Sequence, residues 1–386
     1  MKIIVTSGFG IETATKLELR SLGIDAPSER GRFYFDGTVD DVINCNLHLR
    51  AAGKVYVELA KFEASTFDDL FDGVHQLNWA DIIPQNGVII VNAKSIDSTL
   101  FAVSSLQSVS KKAIVKKLCE KYRSLPEDGI AVKIEISIVN DICSVLLDTT
   151  GDGLHKRGYR DMVWEAPIKE TIAAAIVKLS VWNPERPMID AFTGSGTIPI
   201  ECAMVALNMA PGLKRKFLLE ENSLAFDPSL MANAKRQAEE AINWDAKPRI
   251  AGFDIDKRAI RLAQHHAENF GLSKYIHFEV NDMRNISSRY KYGVIISNPP
   301  YGERLMGNED LAELYRDFGR MFRSLDCWSL YAITSYQGFE RAFGMWATKN
   351  RKIYNAKLEC RLYQYLGERP PRRPYGSNEE LQTKDE

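Results

Sequence analysis

The sequence predicts an α/β protein whose C-terminal half is a doubly wound parallel sheet, preceded by a smaller α+β assembly. Three observations carry this expectation. From Ala166 onward, short apolar segments alternate with helical patterns, as in a parallel sheet covered on both faces. Before that point, shorter strands and helices alternate in units that suit a two-layer α+β arrangement. The length of 386 residues, at roughly 100–200 per domain, allows two or three domains, each with its own core.

The elements follow in order. Lys2–Thr6 reads as a strand, Ile11–Leu22 as a helix, Arg32–Phe35 as a strand and Val39–Leu49 as a helix. A second set begins with a β-rich run over Lys54–Glu63 and a helix from Phe67 to about Leu77. It continues with a strand over Gly87–Lys94, a helix over Leu106–Tyr122, and the strands Ala131–Val139 and Ile142–Asp148. Asn140-Asp141 between those two strands suits a tight hairpin turn. The Gly-rich, basic stretch Gly151–Arg160 reads as a connection between domains. A helical run over Ala166–Trp182 then precedes strands at Pro187–Phe192, Arg249–Asp254, Ile276–Val280, Tyr292–Ser297 and Leu330–Thr334. Two β runs within Lys352–Leu366 suit a sheet edge, and the Pro-, Arg- and Glu-rich tail Arg369–Glu386 reads as disordered.

Composition narrows the function classes. A hydrophobic content of 45% and a charged content of 26% are ordinary for a globular protein. The net charge of −1 excludes a global basic signature, so any nucleic-acid surface has to be local. Cys45, Cys119, Cys143, Cys202, Cys327 and Cys360 stand singly, with no C-x-x-C pair and no histidine at ligand spacing. They read as free thiols in a reducing compartment, without metal chemistry. The first residues, MKIIVTSGFGIE, lack the pattern of a signal peptide, and no stretch has the apolar length of a membrane span. A cytoplasmic location is expected.

Four segments carry chemistry. Asp190-Ala-Phe-Thr-Gly-Ser-Gly-Thr197 lies between a strand and a helix. Gly194 and Gly196 permit positive φ and close approach of a ligand to bare backbone, and the helix start offers free N–H groups. A purely steric turn is the plain alternative. With Pro199 where a third glycine would stand, the dinucleotide pattern is absent and a nicotinamide cofactor is disfavoured. Asp254 ends the next strand, where a carboxylate accepts ribose hydroxyls. Asp256 suits a helix N-cap, and backbone near Ile255 could touch an adenine. Asp282-Met283 ends the third strand, with the carboxylate placed for an adenine amino group and Met283 for the ring face. A turn aspartate is the commoner role, yet three polar groups at successive strand ends mark the ligand crevice of an open parallel sheet.

The fourth segment is Asn298-Pro299-Pro300-Tyr301, followed by Gly302-Glu303-Arg304. An amino group on a purine is a poor nucleophile because its lone pair is delocalised into the ring. Two acceptors aimed at its N–H bonds favour a pyramidal nitrogen, and the Asn298 side chain with the Pro299 carbonyl can supply them. The paired prolines fix φ and stiffen that carbonyl. Tyr301 can stack on a base rotated out of its helix. An ordinary Asn-Pro turn with a packed tyrosine is the alternative.

Taken with Leu154-His-Lys-Arg-Gly-Tyr-Arg160 and Ala166-Pro-Ile-Lys-Glu-Thr-Ile-Ala-Ala-Ala175, these segments resemble the THUMP-domain RNA guanine-N2 methyltransferases, over essentially the whole chain. The resemblance implies a class I, Rossmann-like catalytic domain with a seven-stranded, mostly parallel sheet over 156–368. A ferredoxin-like unit over 1–50 and an RNA-binding THUMP domain over 51–155 would precede it. It implies S-adenosyl-L-methionine as cofactor, held by Thr193, Gly194, Ser195, Gly196, Thr197, Asp254, Ile255, Asp282 and Met283. It places catalysis on Asn298, Pro299, Pro300 and Tyr301. Ala191 and Thr193 depart from the family's usual Asp-Pro-Phe followed by Cys or Gly, leaving the glycines intact.

In that light the stretch 111–123, with six Lys or Arg against one Glu, becomes a candidate RNA surface carrying Lys111, Lys112 and Lys116. A solvated helix face is the plain alternative. Lys156, Arg157 and Arg160 would extend the track towards the active site, or pair with acidic neighbours, and Arg304 is a further candidate RNA contact. The expected activity is methylation of a guanosine N2, in rRNA before tRNA, with no metal and no membrane partner. Two rivals stand beside it. An adenine-N6 methyltransferase shares the Asn-Pro-Pro-Tyr segment, and an RNA-binding assembly factor would retain only a relic of the cofactor site.

Overall fold

A computed structural model describes residues 1–162, 167–301, 308–355 and 358–371. Two seven-stranded sheets organise it. The first contains β1 (Lys2–Ser7), β2 (Ser28–Glu29), β3 (Arg32–Asp36), β4 (Ala52–Glu63), β5 (Val88–Ile96), β6 (Ala131–Val139) and β7 (Ile142–Asp148), in the order β2-β3-β1-β4-β7-β6-β5. Its helices are α1 (Glu12–Ser21), α2 (Val39–His48), α3 (Phe67–His75) and α4 (Val103–Leu118). Thr38 and Thr66 start α2 and α3 with capping boxes closed by Asp41 and Asp69. Asn140 and Asp141 both have positive φ, at 50° and 60°, as the tight β6–β7 hairpin requires. The long strand β4 pairs with β1 on one side and β7 on the other, so one continuous sheet spans both N-terminal units. A division at residue 50 thus falls beside a shared strand, not in a linker.

The second sheet contains β8 (Met188–Asp190), β9 (Ile250–Asp254), β10 (His277–Val280), β11 (Val294–Ser297), β12 (Ser329–Thr334), β13 (Lys349–Asn355) and β14 (Leu358–Tyr365), ordered β10-β9-β8-β11-β12-β14-β13. The first five in that order are parallel, and β14 and β13 close one side antiparallel. Every residue of β8, β11 and β12 is buried, as parallel strands covered on both faces must be. The helices of this half are α5 (Glu170–Leu179), α6 (Thr197–Ala206), α7 (Leu218–Glu221), α8 (Pro228–Glu240), α9 (Lys257–Asn269), α10 (Asn308–Arg323) and α11 (Phe339–Phe343), of which α7 and α8 pack on the first sheet's core through Leu219 and Met231. Helix α5 is shorter than the expected Ala166–Trp182. Lys169 and Ser180, both extended, bound it, and Pro167, which lacks an N–H, stays outside the helix with Ile168. Strand order reverses between β8 and β11, which opens a crevice at their carboxyl ends.

The connection Gly151–Arg160 places Leu154 in the core of the N-terminal sheet and Tyr159 in that of the catalytic sheet. Arg157, expected on an RNA track, is 1% exposed; it pairs with Glu201 at 3.2 Å and donates to the Leu154 and Arg50 carbonyls. Such a guanidinium cannot reach RNA phosphates, and that expectation is corrected. Arg160 also turns inward, 3.3 Å from Glu170 and donating to Ile168 O and Thr197 Oγ1, which realises the acidic-neighbour alternative. At the far side, Gly10 (φ +88°) lies so close to the Lys352 carbonyl and to Ile353 Cα that no Cβ would fit. Beyond residue 371, the expected tail falls outside the described residues.

Candidate active site

The crevice between β8 and β11 holds a cavity of about 390 Å³, within the roughly 300–1,000 Å³ usual for small-molecule sites. The glycine turn after β8 forms one wall. Gly194 has φ +49° and Gly196 φ +81°, but they serve different ends. A Cβ on Gly196 would lie 2.8 Å from Ala263 Cβ of α9, so its bareness is steric. A Cβ on Gly194 would meet no protein atom within 4 Å, and this residue lines the cavity. The steric reading of the motif is therefore realised at Gly196, while Gly194 leaves bare backbone at the cavity wall. Thr197 opens α6, whose first N–H groups face the turn. From α9, the buried His266 ring places Nδ1 3.0 Å from the Ser195 carbonyl.

Asp254 ends β9 and accepts from the Gly194 N–H and the Asp256 N–H, each at 2.9 Å. Burial raises its pKa, partly offset by those backbone hydrogen bonds. Asp256 caps α9 through Arg258 N, as expected. Ile255 is 71% exposed yet lines the cavity, an apolar surface left bare beside it. Asp282 also lines it, while capping the short turn Met283–Asn285 and pairing with Arg284 at 3.0 Å. Met283 is buried and shares both the cavity wall and the core around Ile189 and Ala191.

Asp190, Pro167, Ile168 and Leu314 are among the lining residues that escaped the sequence reading. Asp190, the last residue of β8, is 1% exposed and receives the Phe192 N–H; burial pushes its carboxyl up to about 7, against hydrogen bonds from Ser297 and Phe192. It stands at a strand end like Asp254 and Asp282, which was the available signal. Pro167 and Ile168, ahead of α5, form another wall, and Leu314 of α10 a further one. Nothing in the spacing announces them.

Asn298, Pro299, Pro300 and Tyr301, which follow β11, line the same cavity. Asn298 Oδ1 is shielded from solvent and has no hydrogen-bond partner. A shielded carbonyl left unpaired costs about 1–3 kcal/mol, so the cavity wall carries an unsatisfied acceptor here. The Pro300 carbonyl is already taken: Tyr315 Oη of α10 donates to it at 2.6 Å and meets Thr334 Oγ1 at 2.9 Å. Tyr301 Oη accepts from Asn355 Nδ2 at 3.2 Å, and burial pushes its phenol up to about 12, so the ring is neutral. Gly302, Glu303 and Arg304 lie outside the described residues.

The basic helix is elsewhere. Lys111 pairs with Glu127 at 2.9 Å, Lys112 is exposed, and Lys116 lies over Phe71, all on the first sheet's α4 and not among the cavity-lining residues. Among the described residues, no group of three or more His, Cys, Asp or Glu is placed to hold a metal, and no helix is long and apolar enough to cross a membrane.

Comparison with known proteins agrees with this layout. Residues 157–364 match the RMKL-like methyltransferase domain, residues 2–56 the RlmL ferredoxin-like domain and residues 64–148 the THUMP domain. The chain is 40% identical over 382 residues to YpsC of Bacillus subtilis (strain 168), named an RNA methyltransferase, covering 97% of this chain and 98% of that protein. It is 34% identical over 332 residues to the ribosomal RNA large subunit methyltransferase K/L of Buchnera aphidicola, covering 82% of this chain but 47% of that longer relative. Among solved structures, SMU.472, described as a methyltransferase complexed with SAH, superimposes with a TM-score of 0.90 at 40% identity, covering 96% and 99% of the two chains. A Listeria monocytogenes structure described as an N6-adenine-specific DNA methylase gives 0.89 at 41%, covering 95% and 96%. The chain belongs to the RMKL-like methyltransferases, with a ferredoxin-like and a THUMP domain ahead of the methyltransferase domain.

Proposed function

We propose that this chain transfers a methyl group to the exocyclic N2 amine of a guanosine in large-subunit ribosomal RNA. It is an S-adenosylmethionine-dependent RNA methyltransferase, and the guanine, its N2 position and the ribosomal target are the finer reading. SAH in SMU.472 supports the cofactor, and the Buchnera relative supports ribosomal RNA. The cavity suits that cofactor: the bare Gly194, the Asp254 carboxylate and the exposed Ile255 lie along one side. Bound S-adenosylmethionine supplies an electrophilic methyl carbon. The residues of this chain do the rest. Each Asp254 oxygen has a lone pair beyond its backbone bond and can accept a ribose hydroxyl. Asn298 Oδ1 and the Pro299 carbonyl accept from the two N–H bonds of the target amine, freeing its lone pair for the new N–C bond as the sulfur–methyl bond breaks; S-adenosylhomocysteine is the leaving group and the proton shed by the nitrogen passes to water. Tyr315 holds Pro300 and so steadies the Pro299 carbonyl beside it. The neutral Tyr301 ring offers a stacking face for the extruded base.

The observation that carries this reading is the unpaired Asn298 Oδ1 at the cavity wall. An Asn298→Ala variant is expected to bind cofactor normally and to lose transfer by about 10²–10³, the usual loss when one preorganised polar contact to a reacting group is removed. Adenine-N6 methylation is the second reading, favoured by the description of the Listeria structure and by the same acceptor pair. Tritiated S-adenosylmethionine, total RNA from a strain lacking the gene, and genomic DNA separate them. Label recovered as N2-methylguanosine in large-subunit RNA is expected; label as N6-methyladenosine, or in DNA alone, refutes the guanine assignment.

A further inference from the structure

Phe9 lies in the loop between β1 and α1 and is 61% exposed. Its ring meets Tyr354 of β13 edge to face, with 6.4 Å between centroids and 74° between planes. The backbone fixes the pair. Tyr354 N–H donates to the Phe9 carbonyl at 3.3 Å, and Gly10 packs against the Lys352–Ile353 backbone with no room for a side chain. Lys352 and Arg361 oppose one another in the β13–β14 register, so both project from the face that carries Tyr354, and both are exposed. Lys352 Nζ lies 5.4 Å from the Tyr354 ring centroid. Glu359 pairs with Lys352 at 2.7 Å and Asn350 Oδ1 with Arg361 at 3.1 Å. Exposed contacts of this kind hold little energy and yield readily to a phosphate. One residue further along β13, Asn355 projects from the opposite face and donates to Tyr301 Oη. The aromatic pair thus stands across this end of β13 from the catalytic segment.

We propose that Phe9 and Tyr354, flanked by Lys352 and Arg361, form a platform for single-stranded RNA next to the nucleotide being methylated. This rests on the reading of the chain as an RNA methyltransferase. Extruding a base strips its neighbour of a stacking partner, and an aromatic ring replaces that partner whatever the base. The two cations suit the phosphates on either side. The platform is composite: one ring comes from the N-terminal sheet's first loop and the other from the catalytic sheet's last hairpin. Neither half presents it alone.

The test uses the full-length protein, a short fluorescein-labelled single-stranded oligoribonucleotide and a blunt RNA duplex of equal length. Fluorescence anisotropy should show Phe9→Ala/Tyr354→Ala weakening single-strand binding on the order of tenfold or more, since stacking contributes about 1–3 kcal/mol per base. Duplex binding and calorimetric S-adenosylmethionine affinity should be unchanged, and Phe9→Trp should bind the single strand at least as well as wild type. Unchanged single-strand binding in the double variant, an equal loss on the duplex, or no single-strand binding by wild type overturns the platform. These readouts do not depend on which base is modified. Label found only in DNA would refute RNA methylation, a result distinct from failure of the platform.

Discussion

The two glycines of the cofactor turn offer a quantitative test, because the structure assigns them opposite consequences. Gly196→Ala forces an L-residue to φ +81°, which costs about 1–2 kcal/mol, and drives a methyl to 2.8 Å from Ala263 Cβ in a packed core. Overpacking of that kind adds about 1–3 kcal/mol. Gly194→Ala meets only the backbone cost at φ +49°, with no atom in its way. At about 2–4 °C per kcal/mol for a domain of this size, Gly196→Ala should lower the melting temperature of the catalytic domain by about 5 °C or more. Gly194→Ala should lower it by about half as much. The order reverses for cofactor: the Gly194 methyl enters the cavity and should weaken S-adenosylmethionine at least about tenfold, or 1.4 kcal/mol. Scanning calorimetry without ligand and isothermal titration with it read the two effects separately. If Gly194→Ala binds cofactor as wild type does, or proves the less stable of the two, the division of roles is wrong.

The remaining expectations concern buried charge. Asp190 has a folded pKa raised from 3.8 to about 7 by burial, so the folded state holds its proton more tightly than the unfolded chain. Its contribution is therefore most favourable below pH 4 and is lost as pH rises towards and through 7, by a few kcal/mol. Asp190→Asn should remove that loss, making the ligand-free variant gain on wild type between pH 5 and 8 in urea unfolding; a constant difference across that range would contradict the assignment. Arg157→Met strands the buried Glu201 and should cost about 3–5 kcal/mol, most of it recovered by adding Glu201→Gln. Urea midpoints check this, and a single variant as stable as wild type would sink it.

Legibility in the sequence tracked the kind of signal each feature leaves. β8, β11 and β12 were readable because parallel strands buried on both faces are continuous apolar runs, and β6 and β7 were readable to the residue because a two-residue turn bounds them. Gly194, Asp254 and Asn298 were readable because strand ends punctuate the pattern. Side-chain direction was not. Arg157 and Arg160 sit in a Gly-rich basic stretch that looks like surface, and it is packing against the buried Glu201 and Glu170, with carbonyls from other segments, that turns them inward. Tyr315 was illegible for a related reason. Its hydroxyl reaches Pro300 from a helix whose pattern marks it as core, and a core tyrosine announces no partner. Asp190 was overlooked as the opening letter of a glycine motif, although its strand-end position matches Asp254.

The contact of Gly10 with β13 carries a consequence for solubility and for how the two halves can be separated. β13 is the outermost strand of the catalytic sheet, and an outermost strand offers unpaired N–H and C=O groups as a template for another chain. The Phe9–Gly10 loop lies across that border, taking the Tyr354 N–H and crowding the Lys352 carbonyl. The N-terminal half thus acts as a guard on its neighbour's open border as well as a binding unit. A catalytic domain expressed without it would present β13 bare, with Tyr354 and Leu358 already exposed, and would tend to pair with its own copies border to border. Gly10 is the residue on which that protection turns, because its missing side chain lets the two backbones meet.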